Sequence, residues 1–230
     1  MTMEIYPYHP LKSLAENLWQ VEGTLANGLP RNMTVYRLPD GRLLLYSVVA
    51  MHAADLDALE KLGRPAIMVM PHDRHQMDAP FYKRRYPDLR VLAPASGHAR
   101  KVPVDGDLGE LGALGSNAYV LPGTTHHEVA LELPVEGGVA GLALCTTELL
   151  GNLAGLPGVM GLLLRLLGPP GGGLGVARVV RWREVSDRNL VRAWLESLAD
   201  RSELRMVLVG HGSPVIEGAR DSLRRAAAHF

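Results

Sequence analysis

Ala66-Ile67-Met68-Val69-Met70-Pro71-His72-Asp73-Arg74-His75 is the stretch that decides the fold. Its first five residues are apolar, too few for a helix and bounded by prolines, so they read as a short buried strand. Chemistry begins where that strand ends, with two histidines flanking an acid and a base. The same arrangement returns twice. Ala118 to Leu121 is an apolar strand leading into Pro122-Gly123-Thr124-Thr125-His126-His127, and Met206 to Val209 leads through Gly210 into His211-Gly212. Five of the nine histidines therefore follow apolar strands. Loops at strand ends are where a rigid sheet presents ligands, and imidazole is the commonest metal ligand at neutral pH.

Outward from these loops, the first third of the chain reads as strands at Leu18 to Gly23, Met33 to Arg37 and Leu43 to Val49, with Pro39-Asp40-Gly41 turning the last two into a hairpin. Ala54 to Leu62 repeats leucine at helical spacing and stops at Gly63. A helix is predicted through Phe81 to Tyr86 and a strand at Leu89 to Ala93. The second half repeats the scheme, with strands at Val129 to Leu133 and Gly141 to Thr146 around a Gly137-Gly138 turn. Leu149 to Leu167 reads as a helix despite Pro157, Asp187 to Leu198 as a capped helix with Trp194 on its apolar side, and a terminal helix starts near Glu217. Two runs of mixed strands, each closed by helices, predict two α/β halves packed sheet against sheet with helices outside.

The bulk composition narrows the partners. Lysine plus arginine equals aspartate plus glutamate at 24 each, so no electrostatic footprint for nucleic acid is expected. Lys83-Arg84-Arg85 reads as a solvated helix end rather than a phosphate site. The single cysteine, Cys145, excludes an internal disulfide and fits a reducing compartment, the cytoplasm. Met1 to Pro10 lacks a basic segment followed by an apolar run, so no secretory leader is read, and the apolar stretch from Leu142 to Leu167 is too interrupted to cross a bilayer. Gly168 to Gly175 neither follows a strand nor opens a helix as a phosphate loop would, and no Gly-x-Ser-x-Gly elbow supports serine catalysis.

The order of strand, histidine cluster, helix, strand, Pro-Gly-Thr turn, acidic strand end and final Gly-His-Gly resembles the metallo-β-lactamase superfamily over nearly the whole chain. Laid on Met70 to His75, that family's His-x-His-x-Asp-His signature keeps His72 and His75 and has Met70 and Arg74 in its first and third ligand places. Its Pro-Gly-His-Thr turn becomes Pro122-Gly123-Thr124-Thr125, with His126 or His127 nearby to substitute for the histidine. Glu148 matches the bridging aspartate, one methylene longer, with Cys145 as its rival, and His211 matches the last ligand. Asn17-Leu18-Trp19, Pro71, His75, Phe81, Tyr82, Tyr86, Pro87 and Gly210 through Pro214 look most like a branch of the superfamily with no assigned reaction.

The resemblance implies an α/β (α+β) four-layer αββα sandwich, one domain over residues 1–230. It implies His72, His75, Glu148 and His211 as ligands for one divalent transition metal, zinc or else iron or manganese, if metal is retained at all. Asp73 and His127 are the catalytic candidates, and Arg74, Thr124, Thr125 and His126 the anion-binding ones. Arg74 adds positive charge where a second cation would sit, which argues against a dinuclear centre; its simpler use is pairing with Asp73 or Asp78. Two functions remain open. One is mononuclear hydrolysis of a small ester, lactone, amide or thioester. The other is a catalytically reduced relative that binds a small anionic ligand or a protein partner in the same cleft. The expected partner is a small molecule, with no nucleic acid and no membrane, and a homodimer is left open.

Overall fold

A computed structural model of the chain describes residues 4–95, 101–153, 167–169 and 173–230. Six strands form the first sheet in sequential order: β1 (Lys12–Ala15), β2 (Leu18–Thr24), β3 (Pro30–Arg37), β4 (Leu43–Tyr46), β5 (Pro65–Val69) and β6 (Arg90–Leu92). The first four pair antiparallel, and β5 and β6 join in parallel. In the second sheet, β7 (Asn117–Val120), β8 (Val129–Val135) and β9 (Gly141–Cys145) are antiparallel. A two-residue strand, β10 (Gly151–Asn152), precedes β11 (Leu204–Leu208), which lies parallel to β9 at the sheet edge, and β12 (His211–Gly212) pairs with β10.

Period-two alternation sorts these strands into layers, because successive side chains on a strand point to opposite faces. Leu44 and Tyr46 of β4, with Ile67 and Val69 of β5, meet Val129, Leu131 and Leu133 of β8, Ala143 and Cys145 of β9, and Met206 and Leu208 of β11. That set is the seam between the sheets. Leu43, Leu45 and Met68 face the other way, onto α1 (Ala53–Leu62) through Leu56 and Leu59 and onto α2 (Ala79–Arg85) through Ala79 and Tyr82. The outer face of the second sheet presents Leu142, Leu144 and Val207. A short helix, α3 (Arg178–Arg183), is followed by α4 (Arg188–Asp200) and α5 (Ala219–Ala227), whose Trp194, Leu195, Leu198 and Leu223 cover that face. The layers are therefore helix, sheet, sheet, helix, as the sequence predicts.

Local chemistry explains the boundaries. Gly41, at φ +84°, closes the expected β3–β4 hairpin, and the Asp187 side chain accepts from the Asn189 and Leu190 amides to cap α4. The predicted strand from Leu43 to Val49 stops at Tyr46, because Ser47 turns the chain at φ +58°. The predicted helix from Leu149 does not begin there: Gly151–Asn152 pairs as a strand with His211–Gly212. Residues 154–166 of that expected helix, and 170–172 of the glycine-rich stretch after it, lie outside the described residues. β8 runs past Leu133 through Pro134, whose carbonyl accepts from the Asn17 amide at 3.1 Å. The basic helix end is ion-paired, Lys83 to Asp105 and Arg85 to Glu60, each at 3.1 Å. Among the described residues no helix is long and apolar enough to cross a membrane.

The seam between the sheets is one of three buried apolar layers. Leu131 is fully buried there, and Tyr46 ties the sheets by donating its hydroxyl to the Val129 carbonyl at 2.6 Å. Leu131→Ala is expected to lower the unfolding free energy by about 2–5 kcal/mol, whereas Leu190→Ala, at a half-exposed position on α4, should change it by no more than about 0.5 kcal/mol. Urea denaturation of the two variants measures the contrast.

Candidate functional site

The loops after β5, β9 and β11 bring His75, Glu148 and His211 together, with one ligand atom of each within 4.8 Å of the others. His75 Nε2 lies 2.9 Å and His211 Nε2 3.5 Å from the same Glu148 oxygen, Oε1. Both rings are held from behind. His211 Nδ1 lies 2.7 Å from the Pro30 carbonyl, a partner that can only accept, so Nδ1 carries a proton and Nε2 is the atom turned to the cluster. His75 Nδ1 is 3.0 Å from the Ser47 hydroxyl. Two imidazoles with fixed backs and one carboxylate form the kind of donor set that holds a divalent transition metal, each histidine supported by a partner on its far nitrogen.

Main-chain geometry delivers His211. A Cβ on Gly210 would come within 2.7 Å of the Thr147 Cα, and one on Gly212, at φ +94°, within 2.1 Å of the Asn152 carbonyl oxygen. Glycine on both sides of the histidine is therefore a packing requirement. Asn32 of β3 adds a clamp, its amide donating to the carbonyls of Val209 at 2.8 Å and Gly212 at 2.6 Å.

Glu148 is positioned by a second carboxylate. Glu128, buried at the start of the β8 ladder, accepts the main-chain N–H groups of Thr147 at 2.6 Å, Glu148 at 3.0 Å and Leu149 at 2.8 Å. Burial pushes the Glu128 carboxyl up to about 7, against the opposing pull of those donors. Although burial penalises its charge, Glu148 stays well below the ordinary carboxylate range because His211 and His75 hydrogen-bond to it. Burial lowers His75, while His211, also buried, is raised by the hydrogen bond from its ring to Glu148.

The remaining expected residues gather around Glu184, which the sequence reading passed over. Arg74 makes a close ion pair with Glu184 Oε1 and reaches Glu148 Oε2 at 3.5 Å, both through Nη2. It pairs with neither Asp73 nor Asp78 as anticipated; Asp78 is taken by Arg31 at 2.5 Å. His72 is buried and points to Glu184 Oε2 at 3.6 Å, and His126 Nε2 is 3.8 Å from the same oxygen. His72 Nδ1 accepts from the Arg74 amide at 3.1 Å, so the neutral ring carries its proton on Nε2, towards Glu184. Burial holds that ring neutral, its pKa lowered to about 4. His72 is thus turned away from the three-residue cluster.

The Thr124 hydroxyl donates to the Leu121 carbonyl, and the Thr125 amide to the Glu184 carbonyl. Asp73 and His127 are half-buried and are not among the described residues lining the cavity beside the cluster. His127 has a structural use, its backbone at φ +52° turning the chain so that Glu128 points inward. Cys145 sits in the inter-sheet core with its thiol pushed up to about 12 by burial, so Glu148 and not Cys145 occupies the position in question. Of the residues missed, Glu128 leaves a trace in sequence as an acid opening an apolar strand; Glu184, Ser47 and Asn32 leave none.

Several solved metallo-β-lactamases have the same architecture. DIM-1 metallo-β-lactamase is 16% identical over 98% of this chain and 99% of its own, with a TM-score of 0.64. FIM-1 from Pseudomonas aeruginosa, in a mono-zinc form, is 13% identical over 96% of each chain, with a TM-score of 0.64. TMB-1 is 12% identical over 99% of each, with a TM-score of 0.58. No family model matches the sequence, and no curated protein matches it. Likeness at this identity establishes the fold, and the chain has the metallo-β-lactamase fold.

Glu128→Gln leaves one oxygen where two accept and sets an NH2 group against main-chain donors. The expected loss is roughly 1–3 kcal/mol of stability for each buried donor left unpaired. Guanidinium denaturation reads this loss, and an unchanged midpoint would remove Glu128 from the account.

Proposed function

We propose that the protein is a mononuclear metal-dependent hydrolase of a small ester, lactone, amide or thioester, with His75, Glu148 and His211 holding one divalent ion. The observation that carries this reading is the convergence of three N/O donors within 4.8 Å at the wall of a cavity. A divalent transition ion bound by such donors lowers the pKa of water and polarises a carbonyl. The net reaction adds the oxygen of water to the acyl carbon, breaks its bond to the leaving oxygen, nitrogen or sulfur, passes a proton to that atom and releases a carboxylate.

The chain's own groups supply orientation and charge. The Pro30 carbonyl and the Ser47 hydroxyl fix the two imidazoles, and Glu128 fixes the loop carrying Glu148. Arg74 lines the cavity beside Glu148 and uses only Nη2 on its carboxylate partners, which leaves guanidinium donors for the oxyanion that develops on the acyl carbonyl. By pairing with Glu184 and Glu148 it takes up acid that would otherwise favour a second cation, which supports one metal rather than two. The mono-zinc form of FIM-1 is a protein of the same fold described with one zinc.

Elemental analysis of protein purified without chelator is expected to give close to one equivalent of zinc, iron or manganese. His75→Ala and His211→Ala should each reduce it at least tenfold, and His72→Ala, which removes no ligand, should reduce it far less. Less than a tenth of an equivalent, with no uptake on loading, contradicts the reading.

A further inference from the structure

The cluster opens onto a cavity of about 590 Å3, a size that accommodates an organic ligand rather than an ion and its water alone. His75, Glu148 and His211 form part of its wall. Most of the rest is hydrocarbon: among the described residues Leu25, Leu29, Met77, Leu153, Val179 and Val180 line it. Several of these are incompletely covered. Leu25 and Leu29 are half-buried and Val179 is 39% exposed. Apolar side chains left wet around one concavity gain free energy when an apolar ligand displaces that water, and methionine adapts its shape to what enters.

The charges on the wall limit the ligand further. Among the described residues Arg31, Arg74 and Arg183 line the cavity with one carboxylate, Glu148. Arg31 and Arg74 are paired, to Asp78 and to Glu184 with Glu148, while Arg183 makes no ion pair among the described residues. The charges of Arg31 and Arg74 are offset by those acids, which leaves Arg183 to receive a carboxylate.

The geometry points to a medium-chain acyl ester, lactone or thioester as the substrate, its hydrocarbon chain in this cavity and its acyl carbon at the His75–Glu148–His211 end. This assignment rests on the hydrolytic reading above. Hydrolysis adds the oxygen of water to the acyl carbon, breaks its bond to the alkoxy oxygen or thio sulfur, gives a proton to that atom and frees the chain as a carboxylate. A carboxylate product suits Arg183 on that wall.

The test uses the full chain and two readouts. A dansyl-labelled undecanoate is titrated into metal-loaded and into chelator-treated protein, then competed with decanoate and with decylammonium. Separately, kcat/KM is measured for acetyl, butanoyl, octanoyl and dodecanoyl nitrophenyl esters. The probe is expected to bind both forms and to be displaced by decanoate but not by decylammonium. Leu29→Trp and Val179→Trp, which fill the cavity from incompletely buried positions, should each weaken the probe at least tenfold, and kcat/KM should rise at least tenfold from acetyl to octanoyl. If esters are cleaved with no dependence on chain length and the probe does not bind, the acyl-chain assignment is overturned and hydrolysis stands. If the probe binds and the tryptophans expel it, but the protein takes up no metal and cleaves no ester, the hydrolytic reading falls and the cavity remains a binding site for acyl chains.

Discussion

Three main-chain N–H groups, those of Thr147, Glu148 and Leu149, converge on the buried carboxylate of Glu128. The loop between β9 and β10 would otherwise leave these donors without partners inside the protein, a cost that rigid positioning avoids. Because Glu128 immediately precedes β8, which packs in the seam between the sheets, the position of Glu148 is tied to the buried core. His211 is referred to the same body from the other side, through Asn32 and the Pro30 carbonyl of β3. Glu148 is thus backed from its own sheet and His211 from the opposite one.

Charge balance completes the arrangement. Glu148 and Glu184 are two carboxylates in a partly buried region, and Arg74 lies between them. A guanidinium there neutralises acid that would otherwise favour another cation. The same residue divides the histidines: His75 and His211 lie on the Glu148 side, His72 and His126 on the Glu184 side. The site is asymmetric for that reason, with one half open to the cavity and the other closed around an ion pair.

Layering was legible in the sequence because it follows from apolar runs bounded by turns, and Leu43 to Tyr46 and Pro65 to Val69 are such runs. The histidine loops were legible for the same reason, since each follows a buried strand. Which histidines would share a ligand was not. His72 and His75 are three residues apart, and only their Nδ1 partners, the Arg74 amide in one case and the Ser47 hydroxyl in the other, separate their roles. Glu184 was invisible because it lies far along the chain, after a helix whose residues carry no pattern pointing to the site. The expected helix from Leu149 failed at its start for a tertiary reason: β10 is drawn into pairing with β12 by the close approach that Gly212 permits.

Anomalous diffraction from crystals of the protein soaked in zinc tests the central claim most directly. The account predicts one principal peak between His75 Nε2, His211 Nε2 and the Glu148 carboxylate, at distances of about 2.0–2.2 Å, with the Arg74 ion pair intact. A peak instead between His72, His126 and Glu184, or none at either place, would contradict it.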